Sequence, residues 1–291
     1  MKWATTRFEV DLSQPRIMGI VNVTPDSFSD GGDCADARSA LRRCETLLEE
    51  GAELLDIGGE STRPGSPPLP LQEELARIMP VLRGALQLGI PVSVDTYKPQ
   101  VMQAVLDAGV DIINDVRALR EPGASAVIAR HGSCGVCLMH MHREPRTMQQ
   151  APMQGDAVPQ VREFLEQRAA ALLQQGVQRS RIVLDPGIGF GKTVAQNFAL
   201  LARQEALLAM GFPLLVGWSR KSSLGAALQG SAATPPPPRQ RLVAGVAAAL
   251  MAVERGASVV RVHDVKATAD ALAVWRQVRT QQLAQPEVGT S

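Results

Sequence analysis

The chain is short of cysteine, short of lysine and without a long apolar run, and each shortage narrows its role. Four cysteines in 291 residues do not make a disulfide scaffold, so the expectation is a reducing, cytoplasmic setting. The longest uninterrupted apolar run, Leu242–Val253, falls short of the roughly 20 residues that a bilayer crossing takes. Met1–Arg7 lacks the apolar stretch of a secretory leader. Net charge is missing too: 30 basic side chains face 29 acidic ones, for a formal +1. That balance argues against a general nucleic-acid binder and against an acidic tail. Lysine supplies only five of the basic residues, so a charged site here is built mainly from arginine, whose planar fork suits carboxylates and phosphates. With 45% apolar residues the chain can fill a large core, which excludes a disordered or collagen-like protein.

What is present is alternation. Short apolar runs recur at Ile17–Val23, Leu54–Ile57, Val92–Val94, Ile112–Ile113, Val136–Met139, Ile182–Leu184, Leu214–Val216 and Val259–Val262, with amphipathic stretches between them. Continuous apolar strands alternating with helices predict a parallel sheet buried on both faces. Glycine follows several predicted helices, at Gly51, Gly89, Gly109, Gly176, Gly211 and Gly256, where a left-handed residue ends the helical bonding. Eight strand–helix units predict one α/β domain over residues 1–291, a (β/α)8 TIM barrel with its core at about 16–283. An open doubly wound sheet is the alternative. Pro235–Pro238 predicts a stiff loop before the seventh helix.

In such a barrel the chemistry sits at the carboxyl ends of the strands. The runs end in polar residues there: Asn22, the 58–63 segment, Asp95, Asn114 with Asp115, Met139 with His140, Asp185, Ser219 to Lys221, and Arg261 with His263. The opposite ends are mostly Gly, Pro and aliphatic, and this asymmetry predicts an enzyme. Arg63, Arg220, Lys221, Arg261 and His263 read as cationic donors. Arg261 and His263, two apart on one strand, share a face and suit a phosphate or diphosphate. Asp95, Asp185 and Asn114 suit a nitrogen-rich ring that presents N–H groups, because a buried carboxylate gains strongly from a matching donor. The plainer alternative is that these Asp and Arg residues pair with one another. Asn22 beside a substrate phosphate offers a Mg2+ environment, since that ion keeps few protein ligands; the alternative is a turn-forming Asn. The loops at 24–32 and 60–70 are long enough to serve as lids.

Two further motifs fail on geometry. Gly187–Thr193 ends like a phosphate-binding P-loop, but Pro186 stands where that motif needs its first glycine. Cys134 and Cys137, with His140 and His142 close by, resemble part of a zinc site; strand alternation sends Cys137 and Met139 to one face and His140 to the other. Cys34 and Cys44 read as loop and helix residues without a role.

Five ordered motifs carry a resemblance. Ile17–Gly32, containing Asn22-Val23-Thr24-Pro25-Asp26-Ser27-Phe28-Ser29-Asp30, resembles the opening signature of the dihydropteroate synthases, and Asp56–Gly65 resembles their second. Asp185–Thr193, Ser219–Ser222 and Arg261–Asp264 look like the rest. The resemblance implies a (β/α)8 homodimer that joins 4-aminobenzoate to 6-hydroxymethyl-7,8-dihydropterin diphosphate, with Mg2+, in folate biosynthesis. Sulfonamides would compete with the aminobenzoate. It places the pterin with Asp95, Asn114, Met139, Asp185, Gly217 and Lys221. The diphosphate falls to Asn22, through Mg2+, and to Thr62, Arg63, Arg261 and His263. Aminobenzoate falls to Phe28, Thr62, Pro64, Phe190, Lys221 and Ser222. The catalytic set it implies is Asp30, Arg63, Lys221, Arg261 and His263, with diphosphate leaving first and the amine attacking a pterin cation. The sequence departs from the family's common pattern at His142-Arg143-Glu144, at Gln196 (often His) and at Ser223 (often Phe). A methyltransferase barrel that binds a folate is a rival, but it has no need of Arg261, His263 or Ser219–Ser222. A non-catalytic binding barrel would keep the ring contacts and lose the anion and lid residues.

Overall fold

Short apolar segments whose backbone groups must all be paired have one economical solution, which is to lie side by side. The computed structural model describes residues 1–24, 32–61, 66–143, 147–148 and 150–283, with all their side chains except those of 32–36 and 283. The chain opens with an antiparallel hairpin, β1 (Lys2–Ala4) and β2 (Glu9–Asp11). The barrel units follow: β3 (Arg16–Asn22), α1 (Gly32–Glu49), β4 (Leu54–Gly58), α2 (Leu71–Ala85), β5 (Val92–Asp95), α3 (Pro99–Asp107), β6 (Ile112–Asp115) and α4 (Ala124–His131). Then come β7 (Gly135–Met139), α5 (Ala157–Gln174), β8 (Ile182–Asp185), α6 (Val194–Ala202), α7 (Glu205–Leu208), β9 (Leu215–Val216), α8 (Ser222–Leu228), α9 (Leu242–Glu254), β10 (Val259–Val262) and α10 (Val265–Leu283). Strands β3 to β10 form a parallel sheet in the order β8-β7-β6-β5-β4-β3-β10-β9. A parallel bridge from Leu184 to Leu214 joins its two ends. That closure makes the fold a (β/α)8 barrel and removes the open doubly wound sheet.

The period of two sorts the strand residues into an outer and an inner set. Ile17, Leu55, Val94, Ile113, Val136, Leu184 and Val260 pack outward against the helices in the large core. Met18, Leu54, Ile112, Cys137, Val183, Leu215 and Val259 meet on the barrel axis. Two residues further along the same strands stand Asp56, Asn114, Met139, Asp185, Gly217 and Arg261. The lower layer is therefore apolar, and the next one is where Asp56, Asn114, Asp185 and Arg261 enter, beside Ile20, Met139 and Gly217. Trp3 seals the amino-terminal mouth below them. It is fully buried in the inner cluster, and its Nε1 donates to Arg181 O at 3.0 Å.

Some elements differ from the sequence reading. The β1–β2 hairpin was not expected, because three-residue strands are too short to show a pattern. The sequence reads as one amphipathic helix over Phe198–Met210; helix α6 instead starts earlier, at Val194. Thr193 and Gln196 form a reciprocal capping box there, at 3.2 and 2.9 Å. The expected single helix to Met210 breaks after Ala202, where the buried Gln204 side chain donates instead to Ala252 O and Arg255 O. Cys34 falls within α1 and not in a loop. The expected glycine terminators hold at positions such as Gly51 (φ 104°) and Gly256 (φ 87°). Thr193→Ala removes the cap acceptor and is expected to cost about 1 kcal/mol of stability, read as a lower midpoint in denaturant at unchanged slope.

Candidate active site

The polar layer opens into a cavity at the carboxyl mouth, lined by Asp95, Asn114, Val116, Met139, Asp185, Ile188, Phe190, Gly217, Lys221 and Arg261. Arg261 reaches across the mouth from β10. Its Nε donates to Asp56 Oδ2 at 2.6 Å and its Nη2 to Asp95 Oδ2 at 3.2 Å. Asn114 Nδ2 donates to the same Asp56 oxygen at 3.1 Å. Asp56 is fully buried, and its Oδ1 has no hydrogen-bond partner among the described residues. Across the barrel, Asp185 Oδ1 accepts the Gly187 N–H at 2.7 Å. The Lys221 ammonium lies 4.3 Å from the centre of the Phe190 ring.

Burial sets the proton affinities. It pushes the Asp95 carboxyl up to about 8 against the pull of Arg261, and it raises Asp185, with the Gly187 N–H opposing. It pushes Lys221 down to about 8, with Asp185 opposing. Burial works against the Arg261 charge as well, but Asp56 and Asp95 outweigh it and raise that group's pKa. Near neutrality the site thus combines a firm guanidinium with an acid and an amine that hold their protons loosely. Such a set can meet both donors and acceptors on the edge of a heterocycle.

The sequence model of the family described as Pterin binding enzyme matches residues 18–263. The dihydropteroate synthase of Neisseria meningitidis serogroup B is 50% identical over 278 residues, covering 94% of this chain and 96% of its own. The chain belongs to the dihydropteroate synthases, within the pterin-binding enzymes. Two solved synthases share its fold. That of Burkholderia cenocepacia, complexed with 7,8-dihydropteroate, has a TM-score of 0.87 at 47% identity and covers 98% of both chains. That of Yersinia pestis, with a sulfonamide drug, has a TM-score of 0.88 at 42% identity and covers 96% of this chain and all of its own.

Measured against the synthase pattern, the structure gathers Asp95, Asn114, Met139, Asp185, Gly217, Lys221, Phe190 and Arg261 around one cavity. Ser222 opens α8 beside Lys221 and is exposed. His263 stands just past β10, where both its backbone N and its Nδ1 lie 3.1 Å from Ser219 Oγ. Burial, with Arg220 and Arg261 nearby, brings its pKa down to about 3. The imidazole is therefore neutral and not the cation that the sequence suggests. Arg220 is not among the residues that line the cavity, and it pairs with Asp264, its Nη2 2.5 Å from Oδ1. Asp115 and His140 take the outward parity. Asp115 accepts the Arg117 and Leu119 N–H groups at 2.7 Å, and His140 packs edge-on against Phe164. Phe28, Asp30, Thr62, Arg63 and Pro64 lie outside the described residues. The described base of the second loop is held at Glu60, which accepts from Tyr97 Oη at 3.1 Å and from Lys98, itself 2.5 Å from Glu74.

The metal question divides in two. The cysteine–histidine set does not assemble: Cys134 Sγ accepts from Arg181, Cys137 is in the lower barrel layer, and His140 faces α5. Among the described residues no group of three or more His, Cys, Asp or Glu could cage an ion. Asn22, partly buried at the end of β3, fits only an ion held largely by substrate oxygens and water, which is the usual habit of Mg2+ in phosphate sites. Asp56 escaped the sequence reading of the site. Its parity with Leu54, which puts it on the inner face of β4, was the signal.

Proposed function

We propose that the chain joins 4-aminobenzoate to 6-hydroxymethyl-7,8-dihydropterin diphosphate, giving 7,8-dihydropteroate and diphosphate. The observation that carries this reading is the convergence of Asp95, Asn114, Asp185 and Lys221 with Arg261 on one cavity. Asp185 accepts from the exocyclic amine and adjacent ring N–H of the pterin, Asn114 and Asp95 complete that edge, and Lys221 donates to the ring's acceptors. Met139 and Gly217 supply the surfaces beside the ring. Arg261 and the neutral His263 aim N–H donors at the diphosphate, with Arg63 and Thr62 joining from the second loop. When bound, Mg2+ adds positive charge at the leaving diphosphate, with Asn22 among its ligands.

The C–O bond to diphosphate breaks first, and its electron pair leaves with the phosphate oxygens. Preorganised donors at that oxygen lower the barrier. The positive charge left on the methylene spreads into the pterin ring. The amine nitrogen of 4-aminobenzoate then forms the C–N bond and gives up a proton. The family resemblance assigns its ring to Phe190, Pro64 and Phe28, and its carboxylate to Ser222. It also gives Asp30 and the two loops the task of shielding the cation from water that would trap it. Sulfonamides take the aminobenzoate position. The same reading includes a cytoplasmic homodimer; among the described residues no helix is long and apolar enough to cross a membrane.

Incubation with the pterin diphosphate, 4-aminobenzoate and Mg2+ is expected to yield dihydropteroate, detected by mass; no product would overturn the reading. Thorough chelation is expected to abolish both turnover and calorimetric binding of diphosphate. Activity that survives it removes Asn22 from any metal shell.

A further inference from the structure

The segment that ends like a P-loop turns its lysine away from any phosphate. The loop from β8 to α6 runs backbone against backbone along the loop that follows β7. Gly187 and Gly191 both sit at φ 68°, and a Cβ at either would stand 1.9 Å from His140 O or 2.4 Å from His142 O. Lys192 fills the seam between the two loops and is 3% exposed. Its Nζ donates to Gly187 O at 2.9 Å, Phe190 O at 3.2 Å and His140 O at 3.3 Å. Those three bonds use all three donors of an ammonium. None of its partners is a carboxylate, so the charge is costly where it lies. Burial pushes its pKa down to about 7, with Asp185 opposing from a distance. An apolar chain would fill the same space without that cost.

We propose that Lys192 is a positioning residue for the arylamine half of the site: it fastens the Phe190 backbone to the bases of both loops and so keeps the Phe190 ring beside Lys221. This rests on the condensation reading above. Asp185 does not need the same help, because the β8 ladder and the Gly187 N–H already hold it. Phe190 sits further out on the loop: its N–H donates to Gly187 O at 3.1 Å, its O accepts a long bond from the His142 N–H at 3.5 Å, and side chains supply the rest of its frame. Asn197 Oδ1 accepts the Gly189 N–H at 2.8 Å, and its Nδ2 donates to Ser223 Oγ at 2.9 Å. Lys221 and Ser222 directly precede that serine. Gln196 Nε2 reaches Met153 O and Gly155 O at 2.9 and 3.0 Å. Gln196 and Ser223, two of this chain's departures from the common family pattern, thus both belong to the frame around the same loop.

The test is steady-state kinetics of the full-length enzyme and its Lys192→Met variant, with both substrates varied. The expected result is a KM for 4-aminobenzoate raised about tenfold or more, with the KM for pterin diphosphate within about twofold of wild type. Lys192→Gln keeps two donors and is expected to fall between them; it also serves if the methionine variant does not fold. A variant with a lower Tm but wild-type values of both KM overturns the positioning role, as does an equal rise in both. Wild-type enzyme that makes no dihydropteroate overturns the condensation reading and this proposal with it. An active wild type with an unchanged variant overturns this proposal alone.

Discussion

Replacing Arg261 with alanine is expected to slow dihydropteroate formation by about 10²-fold or more, the scale seen when one preorganised donor is lost from a transition state. The variant loses more than a donor. Arg261 is the cation that both Asp56 and Asp95 face, at 2.6 and 3.2 Å. Asp56 is fully buried and already has one oxygen without a partner. Truncating one side of such a buried pair typically costs about 3–5 kcal/mol, because the other charge is stranded. The alanine variant should therefore unfold at a lower temperature as well as turn over slowly. Arg261→Lys separates the two effects: it keeps a charge near the carboxylates and loses the fork, so stability is expected to recover further than rate. Wild-type kcat/KM in a diphosphate-release assay of the alanine variant would overturn the role given to Arg261.

Asp185→Asn is expected to weaken pterin binding by about 1–3 kcal/mol, or about 5- to 150-fold in Kd. One carboxylate oxygen already serves the Gly187 N–H; no described residue bonds to the other. The amide keeps the shape and the Gly187 contact but turns an acceptor into a donor facing the ring's own N–H groups. The loss should appear in calorimetry with the pterin diphosphate alone, before any amine is added. Wild-type affinity there would count against the assigned ring edge.

Eight apolar runs became eight strands because a strand buried on both faces leaves its mark in composition alone. Their place at the carboxyl ends of the runs, with the period of two used only for Arg261 and His263, marked Asp95, Asn114, Asp185 and Arg261 for one mouth, and that is where they lie. The same parity, applied strictly, would have removed Asp115 and His140 and admitted Asp56. Other features left no local mark. Trp3 gives no sign in sequence that it will be buried under the barrel. The inward turn of Lys192 depends on two loops meeting, and its nearest sequence likeness pointed to phosphate. The lowered His263 proton affinity was not legible, because its burial, and the approach of Arg220 and Arg261, arise only in the fold. Helix α8 is too short to show an apolar period.

The Trp3 plug gives the barrel a floor, and so leaves it one doorway. Cargo in such a vessel queues: whatever sits deepest enters first and departs last. On the proposed reading, the heterocycle held nearer the axis by Asp185 and Asp95 is seated before the arylamine arrives at the Phe190 rim. An arylamine that comes too early blocks the corridor, and excess 4-aminobenzoate should then slow turnover.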